Sequence, residues 1–265
     1  MTGARTIALA RLRRSVNRLE SGEEGRNLSR VALGHGDADA MLQGGLLRGA
    51  MHEVFAPEGR HSAAAAGFAA GLAHRVSKQH PLLWVRQDFI GTECGTLSMS
   101  GFSELGFDPR RVVLVRAADA ETALRVAGDG LACDALGAVV MEVWGDVHAL
   151  DLVASRKLTL AARASGVTAL VLRTAAEPSP STAETRWIVR AARSPPGDEI
   201  SAWGSPVLDA QLVRNRHGPT GQWIMEWKCD ECLFREAPAY SQPVAAAPAD
   251  RPHRTTIHAS RRRAG

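Results

Sequence analysis

The sequence predicts an α/β fold. A mostly parallel sheet is flanked by helices and extended by antiparallel C-terminal strands, with a helix before this core and a disordered tail after it. Three observations carry that reading. Between residues 51 and 173, short continuous Val/Leu-rich runs alternate with helical stretches, as in parallel strands buried on both faces. After residue 185 the runs follow one another without helices and are joined by Pro/Gly turns, as antiparallel strands are. From Glu236 onward the composition narrows to Ala, Pro, His and Arg, which cannot bury a core.

The first element is an amphipathic helix over residues 5–21. Leu9, Leu12, Val16 and Leu19 recur at helical spacing, with Arg11, Arg13, Arg14 and Arg18 around them. That stripe suits either packing on the chain's own core or docking on a partner. Residues 34–50, "GHGDADAMLQGGLLRGA", form a glycine-punctuated lead-in with little regular pattern. The parallel strands are read as "MHEVF" (51–55), "PLLWVRQ" (81–87), "RVVLVR" (111–116), "GAVVMEVW" (137–144) and "VTALVLR" (167–173). Helices are expected over 62–77, 119–132 and 149–165, the last burying Leu150, Val153, Leu158 and Ala161. The antiparallel strands are "TRWIVRAA" (185–192), "LDAQLVRN" (208–215) and "QWIMEWK" (222–228), with "RHGPTG" (216–221) as a hairpin turn. This divides the chain into a basic helix and linker (1–30), a core (31–235) and a basic tail (236–265).

Size and charge narrow the function classes. At 265 residues the chain suits one sizeable domain with extensions. No apolar run reaches membrane-spanning length, and the N-terminus lacks the apolar stretch of a signal peptide, so a cytoplasmic location is expected. Four cysteines are too few and too scattered for a disulfide framework. The net charge of +4 is concentrated at the ends: the first 18 and last 15 residues carry five Arg each and no acid. Removing those ten positive charges leaves about −6 for the middle. The ends, including Arg261, Arg262 and Arg263, either solubilise the chain or contact nucleic acid through salt-sensitive phosphate bonds.

"HEVFAPEGRHSAAAAGFAAGL" (52–72) reads as strand, loop and Ala-rich helix, a layout in which many proteins hold a nucleotide phosphate. In their shared order, several stretches resemble the RecA-type core, and more narrowly the ImuA family, RecA-like proteins of bacterial SOS mutagenesis cassettes. They are "LQGGLLRGAMHEVFAPE", the long segment from "SELGFDPRRVVLV" to "GAVVMEVWG", "ETRWIVRAA", "LVRNRHGPTGQWIMEW" and "DECLF". The resemblance covers roughly residues 28–232 and, for ImuA, rests on Arg86-Gln87, "ETRW", "RNRHGPTG" and "DECLF".

The RecA resemblance aligns Ala56, Pro57, Glu58, Gly59, Arg60, His61, Ser62 and Ala63 with the phosphate loop G-x-x-x-x-G-K-[ST]. All four signature positions differ: Ala56 and His61 replace glycines, Ser62 the lysine and Ala63 the metal-binding hydroxyl. Losing the lysine's charge-assisted bond alone costs about 1.5–3 kcal/mol, roughly tenfold to a hundredfold in ATP affinity. Arg60 and a helix N-terminus at Ser62 leave room for weak anion binding. Glu142 falls where the resemblance places the metal-site acid and Asp88 near the water-activating acid. The plainer alternative is that both are exposed strand-end carboxylates. Cys229-x-x-Cys232 has no second cysteine pair or spaced histidines, so two incidental thiols are favoured over a zinc or redox site. The six tryptophans fall mainly in predicted strands and read as core or interface.

No cofactor, metal or catalytic residue is expected. The resemblance implies a non-catalytic adaptor in SOS-induced translesion DNA synthesis. Its implied partners are ImuB, the error-prone replicative-type DNA polymerase and RecA, with DNA reached through the basic ends. The rival readings are a DNA-stimulated RecA-type ATPase with an aberrant loop and a SulA-like inhibitor of cell division.

Overall fold

The computed structural model describes residues 29–77, 79–194 and 204–237. The predicted helix bearing Leu9, Leu12, Val16 and Leu19, and the tail bearing Arg261, Arg262 and Arg263, lie outside the described residues. A two-residue ribbon of β1 (Arg30–Val31) and β2 (Leu46–Leu47) brackets helix α1 (Gly36–Met41). The main sheet has nine strands: β3 (Met51–Ala56), β4 (Leu82–Gln87), β5 (Val112–Ala117), β6 (Ala138–Trp144), β7 (Thr168–Thr174), β8 (Thr185–Ala191), β9 (Val207–Asn215), β10 (Gly221–Lys228) and β11 (Leu233–Glu236). Their spatial order is β11-β10-β9-β8-β3-β7-β6-β4-β5. β8, β3, β7, β6, β4 and β5 are mutually parallel, and β9, β10 and β11 add antiparallel.

Strand alternation explains why the parallel runs are apolar throughout. Leu82 and Trp84 of β4 enter one core layer while Leu83 and Val85 enter the other. The front layer is built on α2 (Ser62–Ser77), with α3 (Asp88–Cys94) and α4 (Met99–Glu104) between β4 and β5. The back layer is built on α5 (Ala120–Leu131) and α6 (Leu152–Ser165). Chain direction across the sheet reverses after β5, so the later crossovers fall on the opposite face. Asp119 and Asp151 start α5 and α6 by accepting from the N–H groups of Thr122 and Ala154. Gly166, at φ 85°, ends α6.

The Ala/Gly composition of α2 is what the front layer requires. A Cβ on Gly71 would lie 2.6 Å from the Phe234 ring and 2.9 Å from the Trp227 ring. The small helix face thus lets aromatic rings close over it: Phe68 meets Trp187 at 5.2 Å and Phe234 at 5.1 Å, and Trp227 meets Phe234 at 4.8 Å. Trp84, Trp187 and Trp227 are buried core residues.

Several elements differ from the sequence reading. α1 lies in the supposedly patternless lead-in, and α3 and α4 fill the stretch between β4 and β5 that carried no predicted element; each is only six or seven residues long, too short for a periodic signal. β11 extends the sheet through Glu236, which therefore closes the core instead of opening the tail, with Phe234 fully buried. Helix α6 starts at Leu152, and its buried side runs through Ala154, Ser155, Leu158, Thr159 and Ala162. Val153, expected inside, is 60% exposed. Cys229 and Cys232 sit at the turn between β10 and β11, with the Cys232 thiol donating to the Gly106 carbonyl at 3.3 Å. Burial pushes both thiols up, and no cluster of three metal-ligating side chains occurs among the described residues.

His52 in β3 is fully buried between the Leu47 carbonyl, 2.8 Å from Nε2, and the Thr185 hydroxyl, 2.8 Å from Nδ1. The carbonyl only accepts, so Nε2 carries the proton and Nδ1 accepts from Thr185. Desolvation lowers the pKa of this ring to about 4 from 6.5. The unfolded chain therefore takes up a proton below pH 6.5 that the folded chain refuses until about pH 4. Stability should fall by about 3 kcal/mol as pH drops through that window. Urea unfolding across the window should show this loss, and His52→Asn should remove most of the slope.

Candidate functional site

Ligands of open α/β sheets bind in the crevice at the C-terminal strand ends, where the crossovers part to opposite faces. Here that crevice lies above β3, β7, β6 and β4, and it gathers the predicted loop and Glu142, with Asp88 and Gln87 at the β4 end. β3 delivers Ala56 and Pro57, the chain makes one 3-10 turn over Gly59–His61, and α2 begins at Ser62.

The loop closes on itself. The His61 N–H donates to the Glu58 carbonyl at 3.0 Å and the Ser62 N–H to the Gly59 carbonyl. A phosphate would need such groups pointing outward; the Ser62 N–H expected to be free is already used. Arg60 pairs with Glu58 at 2.7 Å, so its charge is answered within the loop. His61 Nδ1 accepts from the Ala191 N–H at 3.2 Å, which ties the loop to the end of β8. The other His61 ring nitrogen, Nε2, lies 3.3 Å from the Arg60 Nε donor.

The far wall is equally occupied. The Trp144 indole, from the end of β6, reaches over the loop: a Cβ on Gly59 would come within 3.0 Å of its ring. Phe89 of α3 meets Trp144 edge-on at 5.8 Å, and the Gln87 side chain accepts the Trp144 N–H at 3.1 Å. Two aromatic rings thus stand between the loop and the β4 end.

Glu142 is no exposed strand-end carboxylate. It is fully buried on β6, where Oε2 accepts from Trp84 Nε1 at 2.8 Å and Arg86 Nε at 3.0 Å. Oε1 finds no partner among the described residues. Desolvation pushes the carboxyl up, against the pull of Arg86 and Trp84. Arg86, on adjacent β4, also donates through Nη1 to the Gly95 carbonyl at 2.6 Å and so anchors the end of α3. Asp88 is half-buried at the first turn of α3, paired with Arg116 at 2.7 Å. In front of Arg86, a cavity of about 530 Å³ opens between α2 and α4, with Trp84, Ala66, Phe102, Leu105, Cys94 and Cys229 among its walls.

The sequence reading missed Arg86 as the partner of Glu142 and Trp144 as the cover of the loop. A faint signal existed: "LLWVRQ" and "GAVVMEVW" each hold one charge in an apolar run, and the two charges have opposite signs. Removing one member of such a buried pair strands the other. Arg86→Ala should cost about 3–5 kcal/mol in urea unfolding, whereas Arg86→Met combined with Glu142→Leu should recover most of that loss.

No protein-family profile matches the chain. Two curated relatives do, each described as protein ImuA, from the NA1000 / CB15N and ATCC 19089 / CIP 103742 / CB 15 strains of Caulobacter vibrioides. Both are 32% identical over 198 residues, covering 69% of this chain and 77% of the relative. On that identity and coverage, the chain belongs to the ImuA family.

Proposed function

We propose that this chain is a non-catalytic, RecA-like adaptor in SOS-induced error-prone translesion DNA synthesis. It binds ImuB and the error-prone replicative-type polymerase, with RecA as a further partner, and the basic ends reach DNA. Membership of the ImuA family supports the setting. The observation that carries the non-catalytic reading is the Glu142–Arg86 pair. A carboxylate buried and bonded to a guanidinium is not free to order water around a metal ion. The loop points the same way, with Ser62 and Ala63 where phosphate and metal would be gripped, and with the His61 and Ser62 N–H groups bonded internally. A sheet without this chemistry still presents its surfaces, and holding other proteins is the work left to it.

Four experiments test the reading. Purified full-length protein should turn over ATP at background rate with or without single-stranded DNA. Turnover that Glu142→Gln abolishes would restore the ATPase alternative. Tagged protein should retain ImuB and the polymerase from damaged cells, and deleting the gene should abolish damage-induced mutation. Filamentation on overexpression, with mutation intact after deletion, would point to the division inhibitor instead.

A further inference from the structure

The cavity in front of Arg86 is walled by more small residues than packing explains. Along one side run Ala63, Ala66, Gly67 and Ala70 of α2. Gly71 on the same helix is required by the Phe234 and Trp227 rings, but a Cβ on Gly67 would meet nothing within 4 Å. Glycine inside a helix is costly relative to alanine. No close neighbour and no positive φ demands it at residue 67, and what it leaves is room. Trp84 and Phe102, edge-on at 5.7 Å, also wall the space, whose volume of about 530 Å³ is that of a small-molecule site.

Two buried polar groups open into this apolar space without a protein partner. Ser62 is 4% exposed, and its hydroxyl makes no hydrogen bond among the described residues. Arg86 is 8% exposed: Nε serves Glu142 and Nη1 the Gly95 carbonyl, while Nη2 has no acceptor among the described residues. Both lie at the C-terminal strand ends, Arg86 near the end of β4 and Ser62 at the start of α2, so the cavity has one polar end. Trp84, two residues before Arg86 on the same face of β4, lines the apolar remainder. Donors buried without an acceptor are uncommon in folded proteins and call for one.

Charge decides the nature of the acceptor. Glu142 already answers the guanidinium, and Glu104 stands exposed on the same cavity wall, so a further anion would be buried against negative charge. An uncharged acceptor avoids that penalty. We propose that this cavity binds a small uncharged molecule with an apolar body and one carbonyl group. The carbonyl oxygen takes its hydrogen bonds from Arg86 Nη2 and the Ser62 hydroxyl. The aromatic or alkyl body lies against Trp84, Phe102 and the small face of α2.

Calorimetric titration of full-length protein with 4-phenylbutanamide tests this. One saturable site should appear, with a dissociation constant at or below about 1 mM. The carboxylate of the same body, 4-phenylbutanoate, should bind at least about tenfold more weakly. Ser62→Ala should weaken the amide about fivefold through the lost hydrogen bond. Ala63→Leu with Gly67→Leu fills the cavity from α2 and should lower affinity by at least about tenfold, while the thermal melt stays level or rises. Should the pair disturb the melt, Gly67→Leu alone serves, since its site is open. Arg86 is kept, because its removal strands Glu142. No saturable heat from the amide overturns the proposal, including the case where the cavity holds only water or a partner's side chain. Binding that the filled variant retains overturns it too, as does a carboxylate that binds as tightly as the amide.

Discussion

A carboxylate at the centre of a parallel sheet is tolerated only when something answers its charge, and in this protein the Arg86 guanidinium does so at 3.0 Å from Glu142. The pair joins neighbouring strands, β4 and β6, at the level where the front crossovers leave one side of the sheet and the back crossovers the other. Arg86 also holds the Gly95 carbonyl, so the short helix after β4 takes its position from the same guanidinium. That helix carries Phe89, whose edge rests on Trp144, and Trp144 in turn covers Gly59. Gly59, Trp144 and Phe89 are therefore linked by a chain of contacts that starts at one ion pair.

This arrangement separates the stability of the fold from any chemistry at the strand ends. The sheet is held by two apolar layers, by the aromatic cluster above the small face of α2, and by buried polar pairs on the back such as Glu53 with Arg186 at 2.7 Å. None of these depends on a ligand. In the loop after β3, the Glu58 and Gly59 carbonyls accept from the His61 and Ser62 N–H groups, and the His61 ring accepts from the Ala191 N–H of β8.

How much of this was legible in the sequence follows from how each feature is encoded. The parallel strands and the main helices are written in local periodicity, so Leu82–Gln87 or Ala120–Leu131 could be read directly. The short helices around Phe89 and Phe102 are set by tertiary contacts, and six or seven residues hold too little period to show it. β11 was missed because "LFRE" earns strand pairing only from β10 beside it. Val153 was placed inside because spacing gives an apolar stripe but not which of two stripes faces the sheet; the Ala- and Ser-rich side of α6 won by fitting closely. At the site, the changed loop residues were plain, whereas the Glu142–Arg86 bond joins positions 56 residues apart and becomes visible only once β4 and β6 are neighbours.

The proposal's central claim is that this crevice does not receive a nucleotide, because Glu142 is bound to Arg86 and Trp144 lies over Gly59. Calorimetric titration of magnesium-ATP into the full-length protein tests it most directly. The account predicts no saturable heat at cellular nucleotide concentrations, and none in a variant carrying Ser62→Lys and Ala63→Thr, because Glu142 stays bound to Arg86 and Trp144 stays over Gly59. Saturable magnesium-dependent binding by the wild-type chain would contradict it.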